Sequence, residues 1–264
     1  MNLILNKKIL NKEEIVRTLF KIIFVALCLI AIFIFNAFFG NPISKAMANN
    51  AAKKYLNKEY KNMDFEKREI FYDFKNAAYI VRLQDKKSQD TKFDVAFDYM
   101  GRFLYDTHED ILLNTMSRFR EAALEYVNEI RERENLPYEL SLDLKYKDRE
   151  YKNLIKLDQK VDINNFPFPL EVTANAFREN VNYEEALKIL KSMVSVMDKE
   201  PFKVETYSLI LLPEKYKVKN GEAQTWKNGL ILFDIPKEVI ERGNLDELKE
   251  IKARGKEREK NSEN

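Results

Sequence analysis

Residues Ile22 to Phe39 read IIFVALCLIAIFIFNAFF, eighteen residues without a charge, and Asn36 is the only strongly polar side chain among them. No other stretch narrows the possible folds as much. A helix rises about 1.5 Å per residue, so the run covers about 27 Å. That nearly matches the roughly 30 Å hydrocarbon core of a bilayer. Leu19 and Phe20 extend the run on its N-terminal side, and Lys21 sits at its edge. There the lysine stem can lie along lipid while the ammonium reaches water. Gly40, Asn41 and Pro42 then break the helix. A transmembrane helix over residues 19–40 is expected, acting as an uncleaved signal anchor.

Three rival readings fit less well. A buried core helix would need a large core around it, and nothing near residue 20 supplies one. A cleaved signal peptide has an apolar region of about 7–15 residues with a small-x-small site soon after it. Ala46-Met47-Ala48 has that pattern but lies far past the run. A lipoprotein signal would place Cys28 after a small residue at the end of the run. Leu27 precedes it instead, and eleven more apolar-run residues, Leu29 to Phe39, follow.

Flanking charge sets the orientation. Lys7, Lys8, Lys12, Arg17 and Lys21 precede the run, whereas Lys45, Lys53 and Lys54 follow it closely. The excess before the run favours a cytoplasmic N-terminal segment, residues 1–18. Leu10, Ile15 and Leu19 have helical spacing, so this segment can rest at the cytoplasmic interface. More than 220 residues then lie outside the membrane.

That outer part is long enough for one large domain or two small ones. The whole chain has 45 basic and 43 acidic residues. Its first forty residues hold five of the former and two of the latter, which leaves 40 against 41, a net charge of −1. A nucleic-acid binder normally shows a basic stripe, so no nucleic acid is expected as a partner. The basic excess lies beside the membrane, where it can meet anionic lipid. Cys28 is the sole cysteine, so the outer part forms no disulfides. The small secreted domains that depend on them are a different class.

After Asn41-Pro42, a good helix start, Ile43, Met47, Ala51 and Tyr55 recur every four residues, with Ala48, Ala52 and Leu56 beside them. This predicts a helix over about 42–60 with one apolar stripe. Strands are expected next: 65–74 (FEKREIFYDF), a run through Ala77, Tyr79, Val81 and Leu83, a third through Phe93, Val95, Phe97 and Tyr99, and RFLYD. A second helix is expected from Thr107 to about residue 133, with Asp110 in a capping-box-like position. Pro137 stops it. The domain boundary is placed inside or just after this helix, giving a first domain over 41–135.

The second domain is expected over 136–242. YELSLDLKY alternates through Leu140, Leu142, Leu144 and Tyr146, and LIKLDQKVDI reads as a further strand. Phe166-Pro167-Phe168-Pro169 reads as an extended link, followed by weak alternation over 170–178. Asn182 with Glu185 opens a helix through Leu187, Leu190, Val194 and Met197. FKVETYSLILL is the strongest strand of this half. Asn220-Gly221 and Asn228-Gly229 mark turns before LILFDI, and Pro236 starts a short helix, PKEVIER. Residues 243–264 are nearly all charged or polar, a tail expected to be at most a solvated helix and to fray. The fold class is α+β: one N-terminal transmembrane helix, a helix with an antiparallel meander, then strands with a helix packed on an antiparallel sheet.

The segments FNAFFGNPISKAMANNAAKKYL, YDFKNAAYIVRL and FDVAFDYMGRFLYDT together resemble the YfjL-like family, membrane-anchored proteins of low-GC Gram-positive bacteria. The FN-x-F-x-GNP-x-S junction is the most specific part. The second half, ending in LILFDIPKEVI, is similar to that family's C-terminal domain. The resemblance implies a two-domain α+β ectodomain on one anchor. It implies no activity and no catalytic residues, because the family has none established.

The residues themselves name no chemistry. His108 is the only histidine, and a zinc site usually needs several His or Cys ligands. Beside Glu109 and Asp110 it reads as a solvated residue in a helix's first turn. There is no nucleophile elbow, phosphate loop or dinucleotide fingerprint. Glu184-Glu185, Glu109-Asp110 and Asp246-Glu247 sit at helix starts, where they suit the dipole. No catalytic, cofactor-binding or metal-binding residue is assigned. The surplus is aromatic: Phe65, Phe71, Tyr72 and Phe74 occupy both faces of the first strand. Either another element, such as the helix over 108–133, covers the second face, or that face binds a peptide or glycan.

Three readings follow. The first is a bitopic, non-enzymatic module that binds an envelope protein, a peptide or a wall polymer. The second is an envelope-acting enzyme, such as a glycosidase with two carboxylates far apart in sequence. The third is a structural subunit of a membrane complex, with Asn36 as a contact between helices.

Overall fold

A computed structural model describes residues 2–147, 149–219 and 221–262 of the chain. The chain divides into two compact units, Met1–Ile111 and Leu112–Asn264.

The first unit begins with helix α1, Asn2–Phe39. Gly40 ends it with φ +69°, a left-handed conformation that suits glycine. Its N–H still bonds the carbonyl of Asn36 at 2.9 Å. The side chain of Asn41 then accepts from the Ser44 amide at 2.8 Å and opens helix α2, Pro42–Glu59. Four strands follow: β1 (Phe65–Asp73), β2 (Ala78–Asp85), β3 (Lys92–Phe97) and β4 (Phe103–Asp106). They pair in sequence order as an antiparallel meander.

One sheet face carries Tyr79, Val81, Leu83, Phe93, Val95 and Phe97, all buried against Ala48, Ala52 and Leu56 of α2. The buried stripe of α2 is therefore Ser44, Ala48, Ala52, Leu56. Of the expected stripe, Ala48, Ala52 and Leu56 are buried and Ala51 and Tyr55 pack beside them, whereas Ile43 and Met47 are turned outward, with Ile43 74% exposed. Small side chains win the inner position because they let the helix backbone approach the sheet. A Cβ on Gly101 would lie 3.0 Å from the Met47 carbonyl oxygen.

The turn after β4 departs from expectation. Thr107 makes no helix-capping bond; its Oγ accepts from the Asp94 amide at 3.0 Å. His108–Asp110 form a 3-10 turn, and the long helix α3 runs over Leu112–Arg133. Met116, Phe119, Ala123, Val127 and Ile130 of α3 belong to the core of the second unit. The division between the units falls at 111/112, inside the span 107–133 where a helix is expected and not at its end near 135. The apolar face of α3 was legible, but an apolar face does not say which sheet it covers.

The second unit continues with β5 (Glu139–Leu144), a four-residue helix α4 (Tyr151–Leu154), β6 (Leu170–Arg178), α5 (Tyr183–Met197), β7 (Val204–Pro213), β8 (Leu230–Pro236), α6 (Lys237–Arg242) and α7 (Leu245–Ser262). The sheet order is β5-β6-β7-β8. β6 and β7 are parallel, and both outer pairs are antiparallel. The sheet is therefore mixed, not antiparallel as expected. A helix between two neighbouring strands returns the chain to its starting end, which makes the second strand parallel to the first.

One further expectation fails here, and a second holds only in part. LIKLDQKVDI is no strand: α4 ends in it, and a 3-10 turn over Ile163–Asn165 closes it. The tail from Gly243 is helical to Ser262, and Leu248 is fully buried in the unit's core with Ile251 packed beside it. Leu248, with Leu245 and Ile251 packed against the same core, docks a helix that is otherwise mostly charged or polar. The side chains of 255–264, part of the segment expected to fray, lie outside the described residues.

Candidate functional site

The most constrained place in the first unit is the exit from α1. From Ile15 to Phe39 every side chain of that helix is exposed except the half-buried Asn36. It is the one helix among the described residues long and apolar enough to cross a membrane, and it is equally compatible with an anchor or a signal sequence. Where it ends, Tyr79 ties the chain down. The Tyr79 hydroxyl accepts from the Asn41 amide at 2.8 Å and donates to the Asn41 carbonyl at 3.1 Å. A Cβ on Gly40 would sit 2.8 Å from both Tyr72 Cγ and the Tyr79 hydroxyl. Phe38 meets Phe74, in the turn after β1, with ring centroids 5.8 Å apart. The FN-x-F-x-GNP-x-S junction is thus a packed joint: glycine allows the approach, asparagine caps, and proline starts α2.

At the other end of α2 lies a polar cluster. Asp106 Oδ2 accepts from the hydroxyls of Tyr55 and, at 2.9 Å, Tyr60. Its Oδ1 accepts from the His108 amide at 3.2 Å. Burial alone would raise the Asp106 pKa, but these bonds outweigh it and hold the carboxyl below its usual range. Burial, then the bond to Asp106, pushes Tyr55 up to about 12, and the same causes push Tyr60 up as well. The carboxylate stays ionised and the phenols stay neutral, so the group works as a clamp between α2 and β4. His108 sits against Tyr60 and Phe93, with centroids 4.8 and 4.9 Å away. Its Nε2 is buried and has no hydrogen-bond partner among the described residues. The expected solvated histidine is instead an aromatic neighbour in a half-buried setting.

The second unit holds two polar features. Lys145 Nζ lies 2.9 Å from Glu171 and 2.6 Å from Asp234. Ser208 donates to Glu171 and accepts from the Asp234 amide at 3.1 Å. Asp234 has φ +53° beside a register shift between Tyr207 and Leu209, where β7 pairs with β8. Burial acts to lower the Lys145 pKa, but the two carboxylates outweigh it and hold the ammonium above its usual value. A lysine so held is no nucleophile at neutral pH. Beyond the carboxyl ends of β6 and β7 lies an open cleft of about 610 Å³, lined by Glu179, Val181, Pro213, Glu214, Lys215 and Asn228. Ligands of sheets with parallel strands commonly bind at such ends.

The residues singled out in the sequence do not converge. Glu185 pairs with Arg178 and Lys188, Asp246 with Lys249, and Glu247 with Arg242. Among the described residues no three His, Cys, Asp or Glu side chains could hold a metal ion. Phe71, of the aromatic surplus, stacks under Arg82 at 5.1 Å, and Arg82 pairs with Asp94 at 3.0 Å. Beside them lies a hollow of about 260 Å³ formed by Glu69, Arg82, Leu83, Gln84 and Lys92. Sequence reasoning missed the tyrosine clamp, because its members stand 51 and 46 residues from Asp106.

No curated protein and no solved structure matches the chain. Residues 15–107 match the family model described as YfjL-like, N-terminal domain, a segment that runs from α1 through the packed exit to the threonine just after Asp106.

Proposed function

We propose that the chain is a bitopic membrane protein whose residues 41–264 lie outside the cytoplasmic membrane and bind an envelope protein, a peptide or a wall polymer without turning it over. The observation that carries this reading is the unburied α1: over residues 15–39 only Asn36 is half-buried, and the apolar run from Ile22 to Phe39 exposes surface that water would not tolerate and lipid would. The charge bias before the run supports a cytoplasmic N-terminus. The likeness of the second half to the C-terminal domain of YfjL-like proteins, and a source among Gram-positive bacteria, belong to the same proposal. β1 is an edge strand of the first sheet, and an extended peptide or polymer can add along such an edge. In-cell crosslinking with mass spectrometry on the full-length anchored chain is expected to capture a recurrent envelope partner through lysines of the outer units. Crosslinks to cytoplasmic proteins alone would contradict the reading.

A second reading, an envelope-acting hydrolase, draws on the cleft beyond β6 and β7, where Glu179 and Glu214 supply carboxylates. Hydrolysis of wall fragments by the purified chain, lost in the Glu179→Gln, Glu214→Gln variant, would put this reading in place of the first.

A further inference from the structure

The two ends of the first unit differ in what they expose. The β1–β2 turn and the β3–β4 turn lie at the same end of the sheet, since Tyr79 pairs with both Tyr72 and Phe97. That is also the end where α1 stops, because Tyr79 holds Asn41. Here Ile43, Phe74, Tyr99 and Met100 are each more than half exposed. Lys45 and Lys75 are exposed among them. The opposite end, where α2 finishes and β2 turns into β3, exposes Lys61, Asn62, Lys86, Lys87 and Gln89. Large apolar side chains cluster at the end nearest the apolar helix and are replaced by lysines and amides at the far one.

We infer that the α1-proximal end of the first unit is a lipid-contact surface, with Phe74 and Ile43 seated in the headgroup layer and the Tyr99–Met100 turn at a shallower level. This rests on the reading of α1 as a membrane span. The ring of Phe38 fixes the depth: it lies one residue before the end of α1 and touches Phe74. Phe38 in a bilayer is at the edge of the hydrocarbon, so Phe74, packed against it, sits where the headgroup layer begins. The layer of headgroups adds roughly 5–8 Å on each side of the core. Aromatic rings favour that layer, and Lys45 and Lys75 can meet anionic headgroups from it. The joint at Gly40, Asn41 and Tyr79 makes the seating rigid, so the unit has a fixed height and face relative to the bilayer. A second protein chain is the competing occupant, but it would have to reach a surface continuous with the span itself.

The test uses the full chain in vesicles of phosphatidylcholine and phosphatidylglycerol. The native Cys28 takes an environment-sensitive fluorophore as a marker of the span. In a Cys28→Ser background, the same fluorophore is placed by Phe74→Cys, Lys75→Cys, Met100→Cys and Lys87→Cys, and lipid-borne nitroxides at the headgroup and along the acyl chain quench it. Deep quenching at 28 is expected, with several-fold stronger headgroup-level quenching at 74 and 75 than at 87, and an intermediate value at 100. Lys75→Cys keeps the test sound if Phe74→Cys fails to fold. Labels at 74 and 75 that behave like 87 while 28 is quenched would overturn the inference and leave the span standing. A blue-shifted label at 74 that lipid nitroxides do not reach would assign the surface to a protein and also overturn it. An unquenched label at 28 would remove the span and the inference with it.

Discussion

In the first unit α2 meets its sheet through Ser44, Ala48, Ala52 and Leu56, whereas in the second α5 meets its sheet through Ile189, Leu190, Met193 and Met197. The first arrangement puts the bulk on the sheet, where Tyr79, Phe93 and Phe97 fill the space under a helix with small side chains. The second shares the bulk between helix and strand, with Leu209 and Leu211 opposite the α5 residues and Phe119 added from α3. Both cores exclude water, but they fail in different ways. A core filled by large aliphatic groups suffers from truncation, and a close helix approach suffers from enlargement.

The largest expected effect tests the second unit. Leu209→Ala empties the centre of β7, where the side chain is fully buried, and should destabilise that unit by about 2–5 kcal/mol. Hydrogen exchange read by mass spectrometry on the full chain separates the units. Peptides of the second unit should lose protection and those of the first should keep it. The counterpart is Ala52→Leu, which forces a branched side chain between α2 and its sheet. A loss of about 1–3 kcal/mol is expected in the first unit. If Ala52→Leu is neutral by the same measurement, the close approach of α2 is wrong and the contrast collapses.

Tyr79→Phe removes both bonds that hold Asn41. Exchange should speed up around the exit from α1, with a cost of about 1–3 kcal/mol for the polar groups left unpaired. The two helix caps offer a finer comparison. Asn41 and Asn182 each accept from the third residue on, at 2.8 Å. Asn182→Ala should cost about 1 kcal/mol. Asn41→Ala should cost more, because its side-chain amide also donates to Ser44 Oγ at 2.9 Å beside the joint. Equal effects would show that the joint adds nothing to the cap.

The smallest expected effect concerns acid. Asp106 is held below its ordinary value of 3.8 in the folded chain. Its contribution is therefore complete above pH 3.8 and declines as the pH falls through the folded value. The tyrosines work at the opposite limit. Tyr55 is raised from 10.0 to about 12, so its contribution is complete below pH 10 and declines as the pH rises towards 12. Asp106→Asn should flatten the acid loss in the first unit, measured by urea unfolding at pH 5 and pH 3. An unchanged acid slope would show that the clamp is not what titrates.

The meander of the first unit was legible because each strand alternates and each turn carries its own signal. Tyr79, Val81 and Leu83 point one way, and the polar cluster at 86–90 ends the strand. The helix stripe is legible at Ala48, Ala52 and Leu56, but its N-terminal end passes through Ser44 and not through Ile43 and Met47. Ile43 and Met47 look more apolar than Ser44 and Ala48, but the sheet opposite is already full of aromatic rings, so close approach decides. The parallel pair β6–β7 was written in the sequence as strand, helix, strand, and only the direction of the return was missed. LIKLDQKVDI has the composition of a strand, yet Asp158 takes φ +59° in its middle, which no extended strand allows. The exit from α1 could be read directly, because glycine, asparagine and proline each have one task there. The clamp could not, because nothing local ties Tyr55 and Tyr60 to a carboxylate so far along the chain. His108 was placed in water for the same reason: the rings of Tyr60 and Phe93 that cover it come from other elements.

The contrast between the two sheets and their helices matters for function only if residues 41–264 stand on the far side of a membrane from residues 1–18. Protease added to intact spheroplasts tests this most directly. Residues 41–264 should be degraded while a cytoplasmic marker stays whole, leaving a short fragment that contains Ile22 to Phe39. A full-length chain that resists digestion until the spheroplasts are lysed would contradict the account.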